Sequence, residues 1–348
     1  MAKKKLKVGF IGAGGIAQGA HFPGWQALDN CEIAAIADVN EATARAAAEK
    51  AGVPDEMVFT DYKDLLENAA LDIIDVCTPN CYHKKPVIDA FAAGCHVIVE
   101  KPIAVSRKEA EQMTQAGHDA GKLFMVAQSM RYQDTSLAMR DWVDAGYLGD
   151  IYWARASLLR PRGVPAWGAF IVKEMSAGGP CYDLAVHILD LCLHIMGHPE
   201  PVSVSAGTWL ELANKPSLMK HNPKKYTVPE DFAAGFVRFA NGAAISFETS
   251  WAINAPSGTG NCFFAGTAGG MQSSPLTLVR EQDGMLVNCT PQINPHAGIA
   301  SHSEEIKRFV AAIESNGPSP VPGEQAILTQ RVLDGIYKSG VKGSEVKV

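Results

Sequence analysis

Between residues 5 and 127, short apolar runs alternate with alanine-rich segments of helical repeat. Runs at 7–11, 32–38, 72–77, 96–100 and 123–127 predict strands, and segments at 41–51, 84–93 and 108–120 predict helices. Strands alternating with helices in this way predict a parallel sheet covered on both faces. Ser106 and Glu109 form a capping-box signature opening the third helix. Gly94 and Gly121 fall just past helix ends, where left-handed backbone is common.

Beyond residue 128 the pattern changes. A helix is expected at 136–145, a strand at 151–159, an irregular aromatic stretch at 160–170 and a helix at 180–196. Strands then dominate. Segments 236–239 and 243–251, joined at Asn241-Gly242, predict a hairpin in which those two residues take positive φ angles. Ile245, Phe247, Thr249 and Trp251 share one face and Ser246, Glu248 and Ser250 the other. The pattern leaves open whether the apolar face is core or a subunit interface. Helices at 304–315 and 324–339 close the chain. The expected class is therefore α/β: a doubly wound parallel sheet over 1–127, then an α+β domain over 128–348 with a large, mostly antiparallel open sheet. The helix at 324–339 is placed so that it can pack back on the first domain.

The chain has 348 residues, 47 % of them apolar and 20 % charged, enough to bury a core and too apolar for disorder. A net charge of −6 without a basic stripe argues against nucleic acid as a partner. No run approaches the ~18 apolar residues of a membrane helix. The lysines at 3, 4, 5 and 7 precede an apolar run too short for a secretory leader, so a cytoplasmic protein is expected. The eight cysteines include no Cys-x-x-Cys pair and read as reduced thiols. Cys77, Cys81, His83, Cys95 and His96 are close in sequence, as are His187, His194 and His198. Neither set has the closed spacing of a structural zinc site, and no metal is expected.

Chemistry enters at the first strand's end. Gly12-Ala13-Gly14-Gly15-Ile16-Ala17 is a G-x-G-x-x-A string between a strand and a helix. Gly12 permits a tight turn, Gly14 lets backbone approach a pyrophosphate, and Ala17 is small enough for helix to pack on strand. The second strand ends in Asp38, placed to accept hydrogen bonds from an adenosine ribose. Together these features predict a Rossmann dinucleotide site. The carboxylate would repel a 2′-phosphate, and Val39 and Asn40 supply no cation, so NAD is favoured over NADP. Two further strings follow strands: Thr78-Pro79-Asn80-Cys81-Tyr82-His83 and Glu100-Lys101-Pro102. A parallel sheet gathers such ends on one edge, so Asp38, 78–83 and Lys101 should meet one cofactor. A third string, Gly178-Gly179-Pro180-Cys181-Tyr182-Asp183-Leu184-Ala185-Val186-His187, opens a helix; its Asp and His, four apart, share a face.

These strings, in this order and with a helix at 301–308, resemble the glucose-fructose oxidoreductase / inositol dehydrogenase family (Gfo/Idh/MocA) over essentially the whole chain. The resemblance implies that Lys101, Asp183 and His187 occupy the catalytic positions. It departs at Pro180 and Ala185, where glycine is common. Expected cofactor contacts are Gly12, Gly14, Gly15, Ile16, Asp38, Thr78, Pro79, Asn80, His83, Glu100, Lys101 and Gln128. Glu100 can equally be structural, fixing Lys101. Expected substrate contacts are Lys101, Arg131, Tyr132, Arg162, Trp167, Asp183 and His187, around a polyol. Arg160, Arg162, Trp167 and Lys173 can line a sugar pocket or form a solvated loop. The expected activity is NAD-dependent oxidation of a sugar, sugar-derivative or cyclitol hydroxyl, with His187 as base, Lys101 polarising the oxygen and Asp183 holding a neighbouring hydroxyl. Alternatives are a redox-neutral NAD-using hydrolase or lyase of the same family and a non-catalytic NAD-binding regulator. The resemblance also implies a homodimer or homotetramer joined across the open sheet.

Overall fold

The computed structural model describes residues 5–293 and 300–348. In chain order the elements begin β1 (Leu6–Ile11), α1 (Phe22–Gln26), β2 (Cys31–Ala37), α2 (Glu41–Ala51), β3 (Val58–Phe59), α3 (Tyr62–Asn68), β4 (Ile73–Val76), α4 (Lys84–Ala92), β5 (His96–Glu100), α5 (Arg107–Asp119) and β6 (Phe124–Ala127). There follow α6 (Asp134–Asp144), β7 (Ile151–Leu159), α7 (Lys173–Ser176), α8 (Val186–Ile195), β8 (Pro201–Trp209), β9 (Phe232–Phe239), β10 (Ala244–Ser250), β11 (Thr259–Gly266), β12 (Gly270–Ser273), β13 (Leu276–Gln282) and β14 (Met285–Cys289). The chain closes with α9 (Ser301–Ser315), α10 (Gly323–Lys342) and β15 (Val346–Lys347). No helix among the described residues is long and apolar enough to cross a membrane.

The chain forms two compact units. The first takes the chain through Ser129 and the segment ending at Ile327 that holds α9; the second takes the region from Met130 and then Leu328–Val348. In the first, six parallel strands lie in the order β3-β2-β1-β4-β5-β6. That order reverses direction at β1, so β1 and β4 flank the crevice where ligands of such sheets bind. Strands β4 and β6 are buried at every position, as a sheet covered on both faces requires.

Sequence boundaries need one revision here. The C-terminal segment that returns to the first unit is α9, not the helix at 324–339, most of which belongs to the second unit. The reason is local. Gly24 in α1 leaves room that Ile306 fills: a Cβ on Gly24 would lie 2.6 Å from the Ile306 Cδ1. Ile306, Phe309 and Val310 of α9 are buried.

Among the described residues of the second unit, nine strands run in the order β14-β13-β12-β11-β7-β10-β9-β8-β15. All neighbours are antiparallel except β10 and β7. One sheet face packs on α8, where Ile188, Leu189, Leu191 and Leu193 are at most 1 % exposed. Ile245 and Phe247 join that core, so the apolar face of the hairpin is core and not an interface. The β9–β10 turn also differs from expectation. Only Gly242 has positive φ, and the Gly242 N–H donates to the Phe239 carbonyl, closing a three-residue loop. That geometry needs left-handed backbone at one position, which glycine supplies, and leaves Asn241 in an ordinary conformation.

Candidate active site

In the first unit, Gly12 takes φ +90° between β1 and the end of β4, and a Cβ there would meet the Cys77 backbone at 2.7 Å. Gly14 and Gly15 differ: a Cβ on either would enter open space. Gly12 is thus required by packing, while the other two leave the loop's amides uncovered for a ligand. The helix after the loop contains a π-turn over Ala17–His21 before α1, a local widening often found at functional sites. Ile16 is 40 % exposed beside it. The Asp38 carboxylate sits against the loop, accepting from Ala13 N–H (2.8 Å) and Asn40 N–H (2.9 Å). An uncovered loop, a helix start and an anchored acid fit a dinucleotide. NAD would lie on Gly14 and Gly15, with its adenosine ribose at Asp38.

The β4 and β5 loops emerge on the same edge, as expected for parallel neighbours. Thr78 Oγ1 donates to the Tyr82 carbonyl at 3.1 Å, tightening the turn that holds Pro79 and Asn80. His83, expected at the cofactor, is instead wholly buried. Its ring lies 2.9 Å from the Thr78 carbonyl and 2.9 Å from the Pro102 carbonyl, so it ties the two loops together. Burial holds it below the usual imidazole range, against the pull of those carbonyls. Glu100 is likewise 7 % exposed, and its Oε2 accepts the Lys101 N–H at 3.0 Å. It takes the structural role, fixing Lys101, whose peptide bond to Pro102 is cis. Gln128 is buried at the end of β6.

Behind Glu100 lies a group that sequence reading missed. His21 is 0 % exposed, with Nδ1 2.8 Å from Asp75 Oδ2 and Nε2 2.9 Å from Glu100 Oε1. Asp75 also accepts from Trp25 Nε1 (2.8 Å) and Cys77 Sγ (3.3 Å). Each ring nitrogen of His21 thus faces a carboxylate oxygen. Burial opposes the charge, but Asp75 and Cys77 together outweigh it and raise His21 well above the usual imidazole range. Burial would also raise Glu100, but His21, Lys101 and His302 overcome it and hold the carboxyl at about 2. A signal was present: Asp75 is an acid inside an apolar parallel strand, and such a residue needs a partner. His21, Asp75 and Cys77 bring potential metal-ligand atoms within 4.8 Å of one another, and all three are engaged in these hydrogen bonds.

In the second unit, the string at 178–187 folds as a tight turn followed by a π-turn (Cys181–Ala185) running into α8. A Cβ on Gly178 would lie 2.0 Å from the Tyr337 hydroxyl, and one on Gly179 would lie 2.3 Å from the Glu230 carbonyl. Both glycines are therefore steric necessities. The Glu230 carboxylate is 0 % exposed, and its Oε1 accepts from Gly179 N–H (2.9 Å), Cys181 N–H (3.1 Å) and Tyr337 Oη (2.8 Å). Burial pushes Glu230 up to about 7. One π-turn downstream, Asp183 Oδ2 accepts from the indole of the fully buried Trp251 at 2.9 Å, with Arg160 4.0 Å away. His187 follows one turn later, half-buried on α8.

The remaining substrate expectations divide. Arg131 is 2 % exposed and makes two hydrogen bonds to Asp190, 2.7 and 2.8 Å. Its fork is committed inside the unit, so the expected substrate contact is corrected to a structural ion pair. Tyr132 is 7 % exposed. Arg162 is exposed and holds the Ile253 carbonyl and Asn254 Oδ1. Trp167 is 67 % exposed, with no burial to assign it a role.

Residues 6–128 match the oxidoreductase family with an NAD-binding Rossmann fold, and residues 136–272 match the GFO/IDH/MocA C-terminal domain. The chain belongs to the Gfo/Idh/MocA oxidoreductases. It is 30 % identical to the D-glucoside 3-dehydrogenase of Escherichia coli (strain K12), covering 100 % of this chain and 99 % of that protein. It is 30 % identical to the scyllo-inositol 2-dehydrogenase (NADP(+)) of Bacillus subtilis (strain 168), over 58 % of this chain and 54 % of that protein. A levoglucosan dehydrogenase solved with NADH and L-sorbose superimposes with a TM-score of 0.86 at 24 % identity, covering 99 % of each chain, a likeness of fold. As a family member, this oxidoreductase has NAD as its cofactor, in keeping with Asp38.

Proposed function

We propose that this oxidoreductase oxidises a secondary ring hydroxyl of a glucoside or a closely related sugar or cyclitol. The observation that carries this reading is the full-length likeness, 30 % over the whole chain, to a D-glucoside 3-dehydrogenase. NAD, when bound, supplies the hydride acceptor. His187 takes the hydroxyl proton, a task suited to an imidazole at neutral pH. The Lys101 ammonium stabilises the charge developing on the reacting oxygen. Asp183, steadied by Trp251, accepts a hydrogen bond from a neighbouring hydroxyl and so selects which carbon is presented.

Incubating the purified protein and NAD with glucosides, hexoses, deoxy sugars, sugar acids and inositols, and following NADH absorbance, tests the reading. Accumulating NADH with a glucoside supports it. Cleavage of the glucoside with no net NADH would move the chain to the redox-neutral hydrolases or lyases. The reading includes action in the cytoplasm and assembly as a homodimer or homotetramer. The subunits would meet across the sheet face opposite α8, where Trp153 and Phe263 lie 5.8 Å apart. A monomeric mass by light scattering at micromolar concentration would remove the assembly.

A further inference from the structure

The hydrogen bonds of the first unit run in an unbroken chain from Asp75 to the backbone of Lys101. Asp75 holds His21, His21 holds Glu100 Oε1, and Glu100 Oε2 holds the Lys101 N–H. The side chains of Asp75 and His21 are fully buried and that of Glu100 is 9 % exposed. The groups facing His21 come from every element around it: Asp75 from β4, Cys77 just beyond it, Glu100 from β5, Trp25 from α1, and His302 from α9 with its ring 5.9 Å away. A neutral ring has a single N–H, so one of the two carboxylate oxygens that face it would meet a bare ring nitrogen, lone pair against lone pair, with two buried negative charges beside it and no cation. A doubly protonated ring supplies both donors and one compensating charge. His83 clamps the other side of the same turn through the Pro102 carbonyl, so Lys101 is held from before and after.

We propose that His21 is a positioning residue of the candidate active site, a permanently protonated imidazolium that acts on Lys101 through Glu100. It touches neither ligand nor reacting atoms. It fixes the carboxylate that fixes the Lys101 main chain, and so aims the ammonium. The inference rests on the catalytic role proposed for Lys101, but the charge state of His21 does not.

Two measurements test it. In full-length protein with 15N-labelled histidine, both ring nitrogens of His21 should carry protons from pH 6 to pH 9, without titrating. His21→Gln assigns the signal; where that variant does not fold, His21 is assigned in the wild-type chain by backbone correlation. A ring with one proton at pH 7, or a midpoint near 6.5, overturns the proposal. In steady-state kinetics, His21→Gln should lower kcat about tenfold or more, with NAD affinity and sugar KM within about threefold of wild type. Glu100→Gln should reproduce that fall, and the double variant should fall no further, because both act on one path. Wild-type kcat in His21→Gln, or effects that multiply in the double variant, overturns it. If the unaltered protein reduces NAD with no sugar, the functional reading fails and the histidine spectra alone decide the charge of His21.

Discussion

Glu100 and Glu230 hold similar posts in the two units. Each is buried, each accepts from the main chain (Glu100 one N–H, Glu230 two), and each steadies a turn that leads to a candidate catalytic side chain. Their ionisation is opposite: Glu100 is held at about 2 and Glu230 is pushed up to about 7. Burial acts on both in the same direction. The difference is a buried cation, because His21 lies 2.9 Å from Glu100 while the partners of Glu230 are neutral dipoles. Three hydrogen bonds from neutral donors do not offset the loss of water, whereas one neighbouring charge does. One unit thus carries a fixed charge pair beneath Lys101, and the other a carboxyl that titrates near neutrality beneath the start of α8.

The largest test is to remove each carboxylate in turn. Glu100→Gln replaces the charged acceptor of the His21 Nε2–H and the Lys101 N–H by a neutral amide and should cost roughly 3 kcal/mol at pH 7. Glu230→Gln, which resembles the protonated acid, should cost far less; urea unfolding of both variants reads the contrast, and equal losses would break it.

The next is pH. A raised carboxyl stabilises the fold fully below its unfolded value near 4.5, and that contribution is lost as pH climbs through about 7. Wild-type protein should lose up to about 3 kcal/mol between pH 5 and pH 9 relative to Glu230→Gln. Glu100 works in the other direction. Its stabilisation is present above 4.5 and is lost as pH falls towards about 2. A flat difference between wild type and Glu230→Gln across the range would remove the titrating carboxyl.

The served side chains come third. Lys101→Ala and His187→Ala should each reduce turnover about a hundredfold or more, with NAD affinity nearly unchanged. Normal turnover in either would mean that the turn behind it serves packing alone. Smallest is Asp38→Ser, which should relax the preference for NAD over NADP by about tenfold. The ratio of kcat/KM values measures it, and a wild-type enzyme already favouring NADP would overturn the reading of Asp38.

Much of this was legible in the sequence. The helix at 41–51 and the strands at 96–100 and 151–159 were read to the residue, since their periodicities are long or their ends are capped. The two-residue β3 was not read, because so short a strand exists only by pairing with β2. The Gly12 string announced a dinucleotide site because Gly12 is demanded by local sterics while Gly14 and Gly15 leave the loop uncovered. Arg131 was misassigned to substrate because a lone arginine shows nothing of a partner 59 residues away.

The order of strands and helices, the glycine turns and the identities of Asp38, Lys101, Asp183 and His187 are local properties, and the chain alone determined them. Local backbone preference and side-chain period act within a few residues. The upward shifts of His21 and Glu230 and the burial of Arg131 depend on groups 50 or more residues apart meeting where water is excluded. Electrostatic energies depend on distance and dielectric, and only tertiary packing sets either.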